Sequence, residues 1–199
     1  MKHYIIITNR PKDPDLEITR RVQELLKLRQ ASCSVYADEI PKEEWKRILL
    51  REGDRTDAIL VLGGDGTMLR AARDTADSQI PMLGINLGTL GYLTEVEKNG
   101  MEDAIDRLVA GSYQVEDRMM LCGQIYRQGR MEEENSALND ITITRCGHLR
   151  MLYFQIYVNG KLLKEYHADG IIIATPTGST GYNLSLIHIS EPTRHAQIS

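Results

Sequence analysis

Cysteine is scarce in this sequence: the three cysteines, Cys33, Cys122 and Cys146, are widely spaced and odd in number. Such a set excludes a disulfide framework and a zinc site, and it fits free thiols in a reducing compartment. No apolar run is long enough to span a bilayer, and the run near the N-terminus, residues 4–7, is too short for a signal peptide. We therefore expect a cytoplasmic protein that has no membrane partner.

The sequence also lacks an excess of charge of either sign. It contains 24 Lys and Arg against 28 Asp and Glu, which gives a net charge of −4 at pH 7. This balance predicts no polyanion-binding surface and hence no nucleic-acid partner. Apolar residues make up 42 % of the 199 residues, enough for the core of one large or two small domains.

What is present is organised around the motif LGGDGT at residues 62–67, between a strand pattern at 58–62 and a helical pattern at 67–75. Glycine lets the backbone approach an anion, and a helix N-terminus offers free N–H groups, so this junction is typical of phosphate sites. Asp65 conflicts with that role, because a carboxylate repels phosphate unless it accepts a proton or acts through a metal ion. The conflict favours catalysis, and an ordinary turn with Asp65 as a helix cap is the alternative.

Strand patterns alternate with helical patterns through the first half of the chain. We predict strands at 4–8, 34–36, 58–62 and 81–86, and helices from Pro14, from Pro41, at 67–75 and at about 101–110. Alternation of this kind predicts an α/β domain with a parallel sheet, here over residues 1–111. Ligands of such sheets bind at the carboxyl ends of the strands, where the first motif and a second glycine-rich loop at 88–93 both fall.

The second half, residues 112–185, has the pattern of an antiparallel β domain. Strands are predicted at 113–122, 123–127, 141–144, 153–158, 161–166 and 170–174, the last of them buried. Hairpin turns are predicted at 128–129 and at Asn159–Gly160. The three glutamates at 132–134 predict a solvated turn rather than a metal site, because adjacent side chains of an extended segment point to opposite faces.

Three further segments carry polar groups that suit a nucleotide. Asn139 and Asp140 precede a strand and could read the hydrogen-bonding edges of a base, although the pair taken alone favours an ordinary turn. Asp169 could contact an amide or a cationic ring, or belong to a turn. The segment TPTGSTGYN at 175–183 is dense in hydroxyls and glycine, which suit phosphate and ribose contacts, and Tyr182 offers a flat face for a base.

Together, LGGDGT at 62–67, ALND at 137–140, the pair at 169–170 and PTGSTGYNLS at 176–185 resemble, in order and spacing, the ATP-dependent NAD kinase family. The first motif alone is also similar to turns of diacylglycerol kinases, sphingosine kinases and phosphofructokinases. The resemblance covers residues 1–185 and implies an α/β domain followed by a mainly antiparallel β domain. It implies transfer of the ATP γ-phosphoryl to the 2′-hydroxyl of the adenosine ribose of NAD, with Mg²⁺ or another divalent cation on ATP, by a homodimer or homotetramer.

The same resemblance assigns roles to individual residues. It implies that Asp65 is the general base on the ribose hydroxyl, and it implies no protein ligand for a metal. Asp140 stands where the family often has Glu, and Gly181 stands where Ala is commoner. The residues implied to bind NAD or ATP are Gly63, Gly64, Asp65, Gly66, Thr67, Arg70, Asn139, Asp140, Arg150, His167, Asp169, Thr177, Thr180, Gly181, Tyr182, Asn183, Leu184 and Ser185.

The resemblance ends after Ser185, where the family continues with Ala-Gly-Gly-Pro and several more strands. Residues 185–194 are instead similar to a translated transposase-type sequencing adapter, so we expect a C-terminal truncation and a non-native tail over 186–199. Strands that lose their partners become exposed edges, so we expect weak or absent kinase activity. A lipid or sugar kinase, and an inactive nucleotide-binding fragment, are the alternatives.

Overall fold

The computed structural model describes residues 2–37, 39–146 and 151–181. The chain forms two compact units, Met1–Asp117 and Arg118–Ser199. The predicted domain bounds 1–111, 112–185 and 186–199 stay predictions. Within the described ranges, no helix is long and apolar enough to cross a membrane.

The first unit contains a five-stranded sheet in which every strand pair is parallel. The strand order is β2-β1-β3-β4-β5, which confirms the α/β prediction. The sequence analysis missed β5, because its two residues are too few to form a strand pattern. The strands are β1 (His3–Thr8), β2 (Ser32–Tyr36), β3 (Ala58–Gly63), β4 (Met82–Asn86) and β5 (Val96–Glu97).

Four helices cover the sheet: α1 (Glu17–Leu28), α2 (Lys42–Glu52), α3 (Asp65–Thr75) and α4 (Met101–Ala110). Apolar side chains of α1 and α4 pack with one face of β1, β3 and β4, and those of α2 and α3 pack with the other face of β1 and β3. Because helices cover both faces, the strands β1 and β3 are buried along their whole length.

The sheet register places the ends of three strands side by side. Thr8 of β1 lies opposite Leu62 of β3, and Gly63 of β3 lies opposite Asn86 of β4. The chain moves to one side of β1 to form β2 and to the other side to form β3, so β1 and β3 flank a topological switch point. Ligands of open α/β sheets bind beside such a point, at the carboxyl ends of the strands.

The described part of the second unit, residues 118–146 and 151–181, contains three antiparallel strand pairs. These are β6 (Leu121–Arg127) with β7 (Arg130–Ala137), β8 (Asp140–Thr144) with β11 (Gly170–Ala174), and β9 (Leu152–Val158) with β10 (Lys161–Ala168). Both predicted hairpins are confirmed. Their turn residues Gln128, Gly129, Asn159 and Gly160 all have positive φ, as a tight two-residue turn requires.

Several sequence predictions about element bounds were wrong. Residues 113–120 form no strand, and the pairing begins only at Leu121, opposite Ala137. The glutamates at 132–134 lie inside β7 rather than in a turn, although they are exposed as expected. Strand β11 is only half-buried, and Ile173 is exposed.

Apolar burial differs sharply between the two units. Among the described residues, Leu138 is the one buried apolar side chain of the second unit, whereas the first unit buries apolar residues on both sheet faces. Tyr153, Tyr157, Leu163 and Ile125 are instead exposed on the strands of the second unit. Two-stranded sheets are marginally stable unless a further strand or helix covers them.

Helix α1 begins three residues later than predicted, and Asp13 explains why. Its buried carboxylate accepts hydrogen bonds from the N–H of Ile18 at 3.2 Å and of Thr19 at 2.9 Å, and from the Thr19 hydroxyl at 2.7 Å. Leu16 has a left-handed backbone with φ of 55°, which turns the chain into the helix. Asp13 therefore satisfies the free N–H groups of the first turn, as an N-cap side chain would.

Replacing Asp13 should destabilise the first unit. Burial raises the pKa of this carboxyl, but the hydrogen bonds from Thr19 and Ile18 outweigh burial and hold the pKa below its ordinary value. Its stabilising contribution is therefore complete above pH about 4 and is lost as the pH falls below that value. We expect Asp13→Ala to lower the free energy of unfolding at pH 7 by about 0.5–2 kcal/mol in urea titrations.

The exposed neighbour Asp15 provides the control. Asp15→Ala should change the unfolding free energy little at either pH. The difference between Asp13→Ala and the unchanged protein should shrink between pH 7 and pH 3. A difference that stays constant over this range would contradict the capping role of the ionised carboxylate.

Candidate functional site

The turn between β3 and α3 is tightly packed against its own helix. A side chain built on Gly63 would overlap the side chain of Thr67, which is itself buried. The Thr67 hydroxyl accepts a hydrogen bond from the Asn9 amide at 2.9 Å, and the N–H of Asn9 donates to the Leu62 carbonyl at 2.8 Å. The end of β1 thus fixes the glycine turn, and Gly63 has to be glycine for steric reasons.

Asp65 is the first residue of α3 and is half-buried. Its carboxylate accepts hydrogen bonds from the N–H of Tyr92 at 2.7 Å, from the N–H of Leu93 at 3.1 Å and from the Thr94 hydroxyl at 3.2 Å. Two of these donors belong to the second glycine-rich loop and Thr94 directly follows it, so the two loops are joined through this carboxylate. A carboxylate can accept about four hydrogen bonds, so Asp65 keeps capacity for a further donor.

The second glycine-rich loop is organised by Asn86, the last residue of β4. Its side-chain amide donates to the Thr89 carbonyl and to the Thr94 hydroxyl, each at 2.8 Å. Its side-chain oxygen accepts from the N–H of Gly88 at 2.6 Å. Since Thr94 in turn donates to Asp65, the chain Asn86–Thr94–Asp65 fixes the orientation of the Asp65 carboxylate.

Gly91 permits the close approach of the two loops. A side chain built on Gly91 would overlap the Asp65 carboxylate. Gly66, by contrast, is exposed and has no neighbouring atom within 4 Å of such a side chain. The packing of the two loops therefore requires glycine at position 91, whereas glycine at position 66 leaves open space beside the turn.

Arg70 lies on α3 one to two turns after Asp65, as its spacing predicts. Its guanidinium forms an ion pair with Glu39, in the segment before α2. The pair is partly exposed. Arg70 thus has a carboxylate partner in this structure, and its role in binding a phosphate stays a prediction.

In the second unit, Asn139 lies against the hydroxyl-rich segment. The N–H of Thr175 donates to the Asn139 carbonyl at 2.8 Å, and the Thr175 hydroxyl donates to the Leu138 carbonyl at 2.6 Å. A side chain on Gly178 would overlap the Asn139 backbone. The side-chain oxygen of Asn139 is buried without a hydrogen-bond partner in the part of the chain that the structure describes.

The other predicted residues of this unit occupy more exposed positions. Asp140 lies opposite Ala174 and accepts a hydrogen bond from Thr142 at 3.3 Å. Asp169 forms an ion pair with Arg145 at 3.3 Å, and the ring of His167 lies 5.1 Å from that of Tyr153. Thr177 is buried, and Gly181 donates its N–H to the Gly178 carbonyl at 3.0 Å.

Some predicted site residues cannot be placed. The side chain of Thr180 and the residues Arg150, Tyr182, Asn183, Leu184 and Ser185 lie outside the described residues, as does the predicted tail 186–199. Sequence reasoning missed the roles of Asn9, Asn86 and Thr94, which position the glycine turn and Asp65. The available signal was an amide side chain at the carboxyl end of an apolar strand: Asn9 directly follows β1, and Asn86 is the last residue of β4.

The packing predicts opposite outcomes for two glycine substitutions. We expect Gly91→Ala to lower the free energy of unfolding by about 1–3 kcal/mol, because the added methyl group displaces the Asp65 carboxylate. Gly66→Ala should leave stability unchanged or raise it, since alanine is the better helix former and meets no neighbour. Urea titrations of both variants measure the difference, and equal effects would contradict the close approach of the loops.

Comparisons with known proteins agree with this arrangement. Residues 4–113 match the model of the ATP-NAD kinase N-terminal domain, and residues 138–186 match that of the ATP-NAD kinase C-terminal domain. A solved structure of yeast NADH kinase complexed with NADH superposes with a TM-score of 0.73 at 23 % identity, over 92 % of this chain and 60 % of that one. This likeness confirms the predicted fold.

Curated relatives are similar over nearly the whole chain. The NAD kinase of Agathobacter rectalis is 45 % identical over 186 residues, which cover 93 % of this chain and 65 % of the relative. The NAD kinase of Acetivibrio thermocellus is 42 % identical over 183 residues, which cover 90 % and 63 %. The chain thus spans slightly less than two thirds of the length of these relatives. With both family domains matched in order, and the Asp65 turn inside the first of them, the chain belongs to the ATP-NAD kinase family.

Proposed function

We propose that the site built around Asp65 transfers the γ-phosphoryl group of ATP to the 2′-hydroxyl of the adenosine ribose of NAD, giving NADP. The observation that carries this proposal is the Asp65 carboxylate, held at the carboxyl edge of the sheet by three donors from residues 92–94. The names of the relatives support NAD as acceptor, since both are NAD kinases.

In this reaction Asp65 is the general base. It takes the proton from the 2′-hydroxyl, whose oxygen forms a bond to the γ-phosphorus while the bond from that phosphorus to the β,γ-bridging oxygen breaks and ADP leaves. A base must be ionised and correctly oriented, and the hydrogen bonds from residues 92–94 provide the orientation. The remaining acceptor capacity of the carboxylate is available to the substrate hydroxyl.

The free N–H groups of the first residues of α3 place a partial positive charge at the same turn, where it can attract phosphate. Asp65 and Gly66 open the helix, so their N–H groups have no acceptor one turn earlier. The open space above Gly66 lets a phosphate or ribose approach this backbone. We assign Gly63, Gly64, Gly66 and Thr67 to this phosphate-binding turn, where Gly63 and Thr67 act by holding its shape.

In the second unit, we assign Asn139, Asp140 and the segment from Thr177 to Gly181 to recognition of NAD. The support is the junction of Asn139 with Thr175 and Gly178, together with the unpartnered side-chain oxygen of Asn139. A buried acceptor without a partner costs about 1–3 kcal/mol, and a bound donor removes that cost. His167, Asp169, Arg150 and residues 182–185 keep the binding roles that the family resemblance implies.

Three finer expectations complete the proposal. A divalent cation such as Mg²⁺ enters with the phosphates of ATP, where it offsets charge that develops during transfer. The described residues contain no group of three His, Cys, Asp or Glu that could hold such an ion by themselves. A homodimer or homotetramer and a cytoplasmic location stay predictions.

A second candidate is that the chain of 199 residues is a weakly active or inactive nucleotide-binding fragment. The exposed apolar side chains on the strand pairs of the second unit favour it, because such surfaces normally pack against further structure. The two candidates make different predictions about a chain in which the C-terminal segment of the A. rectalis relative replaces residues 186–199.

A kinase assay with labelled ATP and a panel of acceptors tests both candidates. We expect label to transfer to NAD and not to diacylglycerol, sphingosine or fructose 6-phosphate. If the extended chain is active and the 199-residue chain is not, the 199-residue chain is an inactive fragment. The same result would support the kinase assignment of the site around Asp65. Transfer to a lipid or sugar in place of NAD, or to no acceptor in either chain, would overturn the kinase proposal.

The role of Asp65 is tested by Asp65→Asn in whichever of these chains is active. Asparagine keeps one of the two oxygens that accept from the loop but cannot take the proton, so we expect kcat to fall about 10²–10⁴-fold with a smaller change in the KM for NAD. The exposed Asp77 provides a control of equal charge change, and Asp77→Asn should retain full activity. A kcat for Asp65→Asn within a factor of three of the unchanged chain would show that Asp65 is not the base.

A further inference from the structure

Lys12 is a charged residue at the carboxyl edge of the sheet to which the sequence analysis gave no role. It ends a short 3-10 turn, Arg10–Lys12, that directly follows β1 and Asn9. Its side chain extends toward both glycine-rich loops. A methyl group built on Gly64 would lie 2.8 Å from the Lys12 ammonium nitrogen, and one built on Gly88 would lie 3.2 Å from it.

The ammonium group of Lys12 has no hydrogen-bond or ion-pair partner among the residues that the structure describes. In residues 2–37, 39–146 and 151–181, no carboxylate lies within ion-pair distance of it, and Lys12 itself is exposed. The adjacent Asp13 points the other way, into the first turn of α1. The Lys12 nitrogen therefore lies beside Gly64 and Gly88 without a charged partner among the described residues.

The positive charge of Lys12 offsets the negative charge that Asp65 brings to the glycine turn. Asp65 places a negative charge next to the N–H groups that open α3, and this charge repels phosphate. An ammonium beside Gly64 and Gly88 restores a positive charge at the same edge without pairing with Asp65. Lysine is a common point-charge partner of phosphate oxygens, and an exposed lysine side chain can move with the ligand.

We propose that Lys12 binds a phosphate oxygen of the triphosphate donor, between the turn at Gly64 and the loop at Gly88. The proposal rests on the assignment of this edge as the phosphoryl-transfer site. It makes Lys12 a substrate-binding residue that acts on the donor, whereas Asp65 acts on the acceptor hydroxyl. Its ligand is a polyphosphate chain, so inorganic triphosphate should bind there without any nucleoside.

Isothermal titration of the 199-residue chain with inorganic triphosphate tests the site directly. We expect Lys12→Ala to raise the Kd about tenfold, as loss of one charge-assisted hydrogen bond does, and Lys12→Arg to restore most of the affinity. Lys98→Ala removes the same charge from an exposed position beside α4 and should change the Kd less than twofold. Unchanged unfolding curves of Lys12→Ala would show that its fold is intact.

Kinetics separate this proposal from the kinase assignment. In a chain that forms NADP, Lys12→Ala should raise the KM for ATP about tenfold and leave the KM for NAD within twofold. A rise in the KM for NAD alone, equal triphosphate binding by Lys12→Ala, or no binding by the unchanged chain would each overturn the role of Lys12. Failure to phosphorylate NAD while triphosphate binding depends on Lys12 would overturn the acceptor assignment and support the donor site.

Discussion

The first unit depends on the hydrogen bonds that the Asp65 carboxylate accepts from residues 92–94. They join the turn after β3 to the loop after β4, so that two segments far apart in sequence form one edge. The same carboxylate is the proposed base, which means that one group both holds the loops together and carries the chemistry. Because the Asp65 carboxylate lies so close to the backbone of the second loop, a side chain at position 91 would overlap it.

Polar side chains at the ends of β1 and β4 form hydrogen bonds that fix the loops at this edge. Asn9 ties the end of β1 to Thr67, and Asn86 ties the end of β4 to Thr94. Both are short amides that bond to backbone and hydroxyl groups, so they fix loop shape without adding charge. Asp65 and Lys12 place charges of opposite sign at this edge, with Asp65 the proposed base on the acceptor hydroxyl and Lys12 the proposed ligand of the donor phosphates.

The sequence predicted the parts of the structure that depend on local patterns. Alternating strand and helix patterns predicted the parallel sheet, and turn-forming residue pairs such as Asn159–Gly160 predicted the hairpins, whose turns have the positive φ that these residues tolerate. It could not predict Lys12 or Thr94, because their positions depend on the pairing of β1, β3 and β4 rather than on neighbours in sequence. Pro14 misled the prediction of α1, since the N–H groups of that helix bond to Asp13 and the helix starts only at Glu17.

The central claim is that Asp65 acts on the 2′-hydroxyl of NAD, and a crystal structure of the NAD complex would test it most directly. The account predicts that the hydroxyl oxygen lies within about 3 Å of the Asp65 carboxylate, while the hydrogen bonds from Tyr92 and Leu93 persist. It would be contradicted by a ribose bound elsewhere, with Asp65 bonded only to its own loop.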